Sequence, residues 1–198
     1  DAQGVELLTV QVNISDAQAF TDAVETLGTD KSKAEAIAAQ TERTITEKID
    51  EDPEFYISFS KKIKEILDEM HAGKMADIEA LKQLKQTRED VLEKKDDSIP
   101  ERVGKVVGGD VFYRNLSKDL EAHDLSEEQI IDVVLGVHET LKGEMIVDWY
   151  RNGEVKRIMR NKIDDFLYDV VKGKMGVSLS NEEMKAIIEK VLQLAENN

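Results

Sequence analysis

Apolar side chains recur every three or four positions along most of this chain, the spacing that lines up one buried face of an α-helix. The pattern predicts eight helices. The first covers residues 16–27, with Gly28 as a left-handed terminator. The second covers 31–49, on the line Ala34, Ile37, Ala38, Thr41, Ile45 and Ile49. Asp52-Pro53 then restarts the chain: Asp52 can accept from free backbone N–H groups, and Pro53 suits the first helical position. Phe55, Tyr56, Phe59, Ile63, Ile66, Leu67 and Met70 form the face of the third helix, which Gly73 ends. A fourth over 76–95 shows only a narrow edge of Ile78, Leu81, Leu84, Val91 and Leu92.

Residues 99–109, with three glycines among alternating valines, predict no single element, and a fifth helix follows over 110–122. Ser126-Glu127-Glu128-Gln129 is a capping box and opens the most apolar helix, to about 141. Asn152 caps the next, whose line runs unbroken from Val155 through Ile158, Met159, Ile163, Phe166 and Leu167 to Val171. A second capping box, Ser180-Asn181-Glu182-Glu183, opens the last, buried through Met184, Ile187, Ile188, Val191, Leu192 and Ala195. Strict alternation appears only over residues 5–14, which reads as a strand or an extended leader. The expected fold is all-α, an irregular bundle of about eight helices behind a short extended N-terminal segment.

Composition agrees. Glycine and proline number 11 and 2 in 198 residues, so little of the chain is turn or loop. Hydrophobic residues make up 40%, too many for a disordered acidic tail. The absence of cysteine excludes disulfide frameworks and thiolate metal sites, and fits a reducing, cytoplasmic setting. No apolar run reaches the ~20 residues of a membrane span. The chain opens on Asp1 where a complete reading frame would open on Met, which fits a piece of a longer polypeptide.

The net charge of −15 opposes binding of nucleic acid or anionic lipid by the chain as a whole. It is unevenly spread. Residues 1–30 hold six acids and no base, and read as an acidic leader or linker before a helical domain over 31–198. Residues 151–174 reverse the sign, with seven basic side chains against four acidic. Such a stretch can serve an acidic partner or phosphate, though local salt bridging to neighbouring acidic helices explains it more simply. Trp149, Arg151, Lys156, Arg157 and Arg160 are the candidate interaction residues, together with the acidic first helix.

Catalytic patterns are faint. Gly108-Gly109 lacks the Lys-Ser/Thr that would reach a nucleotide's phosphates. His71, His123 and His138 lie on three segments without metal-ligand spacing. Asp148 with Glu154-Val155-Lys156 imitates a magnesium-dependent nuclease set, in which two acids hold the metal and a lysine aids the attacking water. Glu-x-Lys also occurs at Glu93 and Glu183, and Glu154 begins a helix where such sites use paired strands. No catalytic, cofactor or metal residue is therefore assigned.

Two blocks carry a family likeness. One is Ala36-Ile37-Ala38-Ala39-Gln40-Thr41-Glu42-Arg43-Thr44-Ile45-Thr46-Glu47-Lys48 with Asp50-Glu51-Asp52-Pro53-Glu54-Phe55-Tyr56. The other is Val147-Asp148-Trp149 with Asn152, Val155, Met159-Arg160, Ile163-Asp164-Asp165 and Leu167-Tyr168. In that order, over about residues 34–195, they resemble the C-terminal helical region of the R (restriction and translocation) subunit of type I restriction enzymes. The resemblance implies a non-catalytic assembly domain that docks the subunit onto the methyltransferase–specificity core. The parent would be an ATP-dependent, site-specific deoxyribonuclease whose nuclease and motor motifs, ATP and Mg²⁺ lie upstream. Its partners would be the methyltransferase and specificity subunits, with DNA reached through the assembled complex. The alternative is direct contact with duplex DNA through the basic helix of residues 151–174.

Overall fold

A computed structural model describes residues 17–198, with side chains from residue 20. Among the described residues the fold is all-α, with no strand. The expected extended segment at 5–14 lies outside them.

The described residues form nine α-helices, in order α1 Ala17–Glu25, α2 Asp30–Lys48, α3 Pro53–His71, α4 Asp77–Glu93, α5 Glu101–Gly104, α6 Gly109–Glu121, α7 Glu127–Lys142, α8 Gly153–Phe166 and α9 Asn181–Asn197. The addition to the expected eight is α5, one turn inside the stretch that periodicity left open. They form two compact units. Among the described residues the first comprises those up to Ile49 with Tyr56–Asp96; the second comprises Asp50–Phe55 with Asp97–Asn198.

In the first unit α2 packs along α4. Their buried faces are rich in small residues, Ala34, Ala36, Ala38, Thr41 and Thr44 on α2 and Ala80 and Thr87 on α4. The buried hydroxyls stay satisfied within their own helices: Thr41 donates to the Ile37 carbonyl at 2.7 Å and Thr87 to that of Gln83 at 2.8 Å. Thr29 caps α2, accepting from the Ser32 N–H at 3.1 Å.

Two expectations fail here. Gly28 does not adopt a left-handed conformation; among the described residues the glycines with positive φ are Gly73, Gly108 and Gly176. The chain after α1 instead tightens through Thr26 and Leu27, whose N–H groups donate three residues back. On α4, Ile78 is 67% exposed and Leu92 is also exposed. At 100° per residue the buried stripe of Ala80, Leu81, Leu84, Thr87 and Val91 leaves both roughly a quarter-turn or more off its axis.

The second unit is organised on α7, which packs against α5, α6 and α8. Its Ile130, Val133, Val134, Val137 and Leu141 join Phe112, Leu116 and Leu120 of α6, Met159 and Ile163 of α8, and the buried face of α9 in one core. Both capping boxes form with reciprocal bonds, at Ser126/Gln129 and Ser180/Glu183. The single helix expected from Asn152 to Val171 changes its winding: after Phe166 it widens to a π-helix over Leu167–Lys174, with Leu167 and Val171 still buried.

Candidate functional site

Residues 143–174 of the second unit carry the charge reversal and every candidate interaction residue. α7 ends near Gly143, and three apolar residues follow outside any helix. Met145, Ile146 and Val147 are all exposed, Val147 to 92%. The chain is then pulled inward. The Trp149 N–H donates to the Ile146 carbonyl at 3.1 Å, and the indole is buried in the core of this unit. Asp148, between tip and anchor, sits in the left-handed region at φ 56°, uncommon for a non-glycine residue. One 3₁₀ turn over Trp149–Arg151 leads to Asn152, whose side chain accepts from the N–H groups of Glu154 at 3.1 Å and Val155 at 3.3 Å to start α8.

The side chains behind the tip brace one another. The Tyr150 hydroxyl donates to Asp148 Oδ1 at 3.2 Å, and its ring meets Trp149 edge-on at 6.4 Å. That hydrogen bond and the carboxylate's charge raise the Tyr150 phenol above its ordinary value. The Arg151 guanidinium lies over the Tyr150 ring, 5.4 Å from its centre.

The remaining candidate cations are committed to carboxylates of the same unit. Lys156 Nζ is 2.9 Å from Glu196, and Lys162 pairs with Glu144. Arg157 holds Glu154 through two bonds, at 2.6 and 3.1 Å. Arg160 forks onto Glu189 at 2.7 and 3.1 Å. The hydrogen bonds to Arg157 and Arg160 lower the carboxyl groups of Glu154 and Glu189 below their usual range, and both guanidinium groups are raised in return. Arg151 differs: it has no carboxylate partner among the described residues, only the tyrosine ring.

Of the five candidates, then, Trp149 is a core anchor, Lys156, Arg157 and Arg160 are paired, and Arg151 faces outward. The nuclease-like trio does not converge: Asp148 accepts from Tyr150, Glu154 is held by Arg157, and Lys156 reaches Glu196 on α9. Among the described residues no three His, Asp or Glu side chains are placed to share a metal ion. The acidic first helix is engaged as well, with Glu25 between Lys33 at 2.7 Å and Lys85 at 3.0 Å.

Periodicity did not single out residues 145–147, though the signal was present: three apolar residues in succession, just past the α7 glycine and outside either helix's stripe. The chain matches no family model, no curated protein and no solved structure.

Proposed function

We propose that this chain is a non-catalytic helical assembly domain that docks a larger DNA-translocating subunit onto a methyltransferase–specificity core, as its resemblance to the R subunit of type I restriction enzymes implies. The observation that carries this reading is the pairing of Lys156, Arg157, Arg160 and Lys162 with carboxylates of their own unit. A surface that reads phosphates needs cations free to replace counterions. A surface that docks protein needs a rigid, locally neutral frame around a few exposed anchors. Residues 145–160 match the second description.

On this reading, nuclease and motor chemistry, ATP and Mg²⁺ belong to the parent polypeptide, which works in the cytoplasm. No helix among the described residues is long and apolar enough to cross a membrane. A competition assay tests the proposal. Excess isolated chain, added while the restriction complex is being reconstituted, should occupy the core and suppress ATP-dependent cleavage in proportion to its concentration. Undiminished cleavage at saturating chain would refute it.

A further inference from the structure

A cation drawn in from solvent is costly unless an anion meets it. Among the described residues of the first unit, two basic side chains are half-buried, Lys33 and Arg88. Lys33 has its anion, Glu25, at 2.7 Å. Arg88 of α4 has none among the described residues; its guanidinium lies over the Phe20 ring of α1, 4.7 Å from the centre. Stacking uses the flat face of that group and leaves the N–H donors around its edge unspent. Burial lowers the Arg88 pKa, opposed only by the charge of the adjoining Glu89. Arg102 shows the opposite case, raised by its bonds to Asp132 and Glu128. The lysines of the first unit that lack a carboxylate are exposed, so water serves them.

Beside Arg88, helices α1, α2 and α4 leave a cavity of about 250 Å³ that opens to solvent. Phe20, Val24 and Ile37 give it apolar walls. Glu25 at its edge is already neutralised by Lys33 and Lys85, at 2.7 and 3.0 Å. Glu89, also at the edge, is exposed and adds one negative charge. The volume falls below the ~300–1,000 Å³ of sites for drug-sized ligands, so only a smaller molecule fits. We propose that this cavity binds a small monocarboxylate with an apolar body. Its two oxygens meet the free edge of Arg88, and its body lies against Phe20, Val24 and Ile37. The fork of guanidinium donors matches a carboxylate. Glu89 disfavours dianions such as a phosphate monoester. The residues of the docking reading belong to the second unit, so the two proposals stand or fall separately.

The experiment titrates the full 198-residue chain with sodium octanoate and follows backbone amide NMR shifts at constant, low ionic strength. Octanol and inorganic phosphate, each lacking half of the proposed recognition, are titrated beside it. A ligand of about ten non-hydrogen atoms should bind with a Kd of a few millimolar or tighter. Saturable shifts should centre on residues 20–25, 37 and 85–89. Arg88→Met should weaken octanoate about tenfold, and octanol and phosphate should bind about tenfold more weakly than octanoate. Glu89→Gln, at an exposed position that a fold tolerates, should tighten octanoate about twofold or more. No saturable shift up to about 20 mM octanoate overturns the proposal. So do shifts centred elsewhere, an R88M affinity within about twofold of wild type, and octanol or phosphate binding as tightly as octanoate. Should R88M fail to fold, an E89Q affinity that is unchanged or weaker overturns it instead.

Discussion

The Arg114 guanidinium, on α6, grips the Asp52 carboxylate just ahead of α3, with Nη2 at 2.5 Å and Nε at 2.8 Å from the same oxygen. Asp52 is 1% exposed, and its other oxygen accepts from the Asn115 amide at 2.7 Å and the Phe55 N–H at 3.4 Å. Burial pulls the Arg114 pKa down, but the hydrogen bonds and charges of Asp52 and Asp110 outweigh it and leave the pKa raised. The expected cap on α3 is therefore one end of a buried ion pair. Truncating either partner strands a charge: Asp52→Ala should cost about 3–5 kcal/mol in chemical denaturation. The double variant D52A/R114M should recover a large part of that loss, because no unpaired charge remains.

A second prediction concerns α7. A Cβ built on Gly136 would stand 2.3 Å from Phe166 Cζ, so the Phe166 ring occupies the space a side chain would need. Gly136→Ala should destabilise the protein by about 1–3 kcal/mol despite alanine's helix preference of about 1 kcal/mol. The loss should shrink in G136A/F166L, measured as a shift in urea midpoint at constant slope.

α4 offers a contrast between two leucine-sized residues. Leu84→Ala should cost about 2–5 kcal/mol, since Leu84 is 1% exposed. Ile78→Lys, on the same helix but outside the buried stripe, should change stability by no more than about 0.5 kcal/mol. Equal costs would place Ile78 in a contact that the fold does not contain.

Glu25 supplies a pH signature for the first unit. Hydrogen bonds and charge from Lys33 and Lys85 lower its carboxyl from 4.5 to about 2. A depressed folded-state pKa gives stability that is present above the unfolded value, near 4.5, and lost as the pH falls through the folded one. The melting-temperature gap between wild type and Glu25→Gln should thus be constant from pH 7 to about 5, narrow below 4.5 and close near pH 2. A gap that persists at pH 2 would show that the carboxylate's charge is not what joins these residues.

Much of the fold was legible in sequence because its signals are local. Both capping boxes, the Asn152 cap, the Pro53 start and the stripes of α2, α7 and α9 follow from residues a few positions apart. What escaped depends on distant partners. Arg114 meets Asp52 across 62 positions, and nothing in either local sequence announces the pairing. Phe166 reads as core by its spacing, yet only half-buried it settles over Gly136 on another helix. The candidate site was half legible. The basic segment was visible in composition, but which of its cations are free depends on Glu189 and Glu196 of α9 arriving beside α8. Arg151, Lys172 and Lys174, which have no carboxylate partner among the described residues, stand apart only once those pairs are known.

The most direct test of the central claim is size-exclusion chromatography with light scattering of the chain mixed with the methyltransferase–specificity complex in the absence of DNA. Docking through protein surfaces requires a single species heavier than the complex by 22.3 kDa or a whole multiple of it. Separate elution of the two, together with a shift of the chain by duplex DNA alone at low salt, would contradict the account and favour contact through the basic segment.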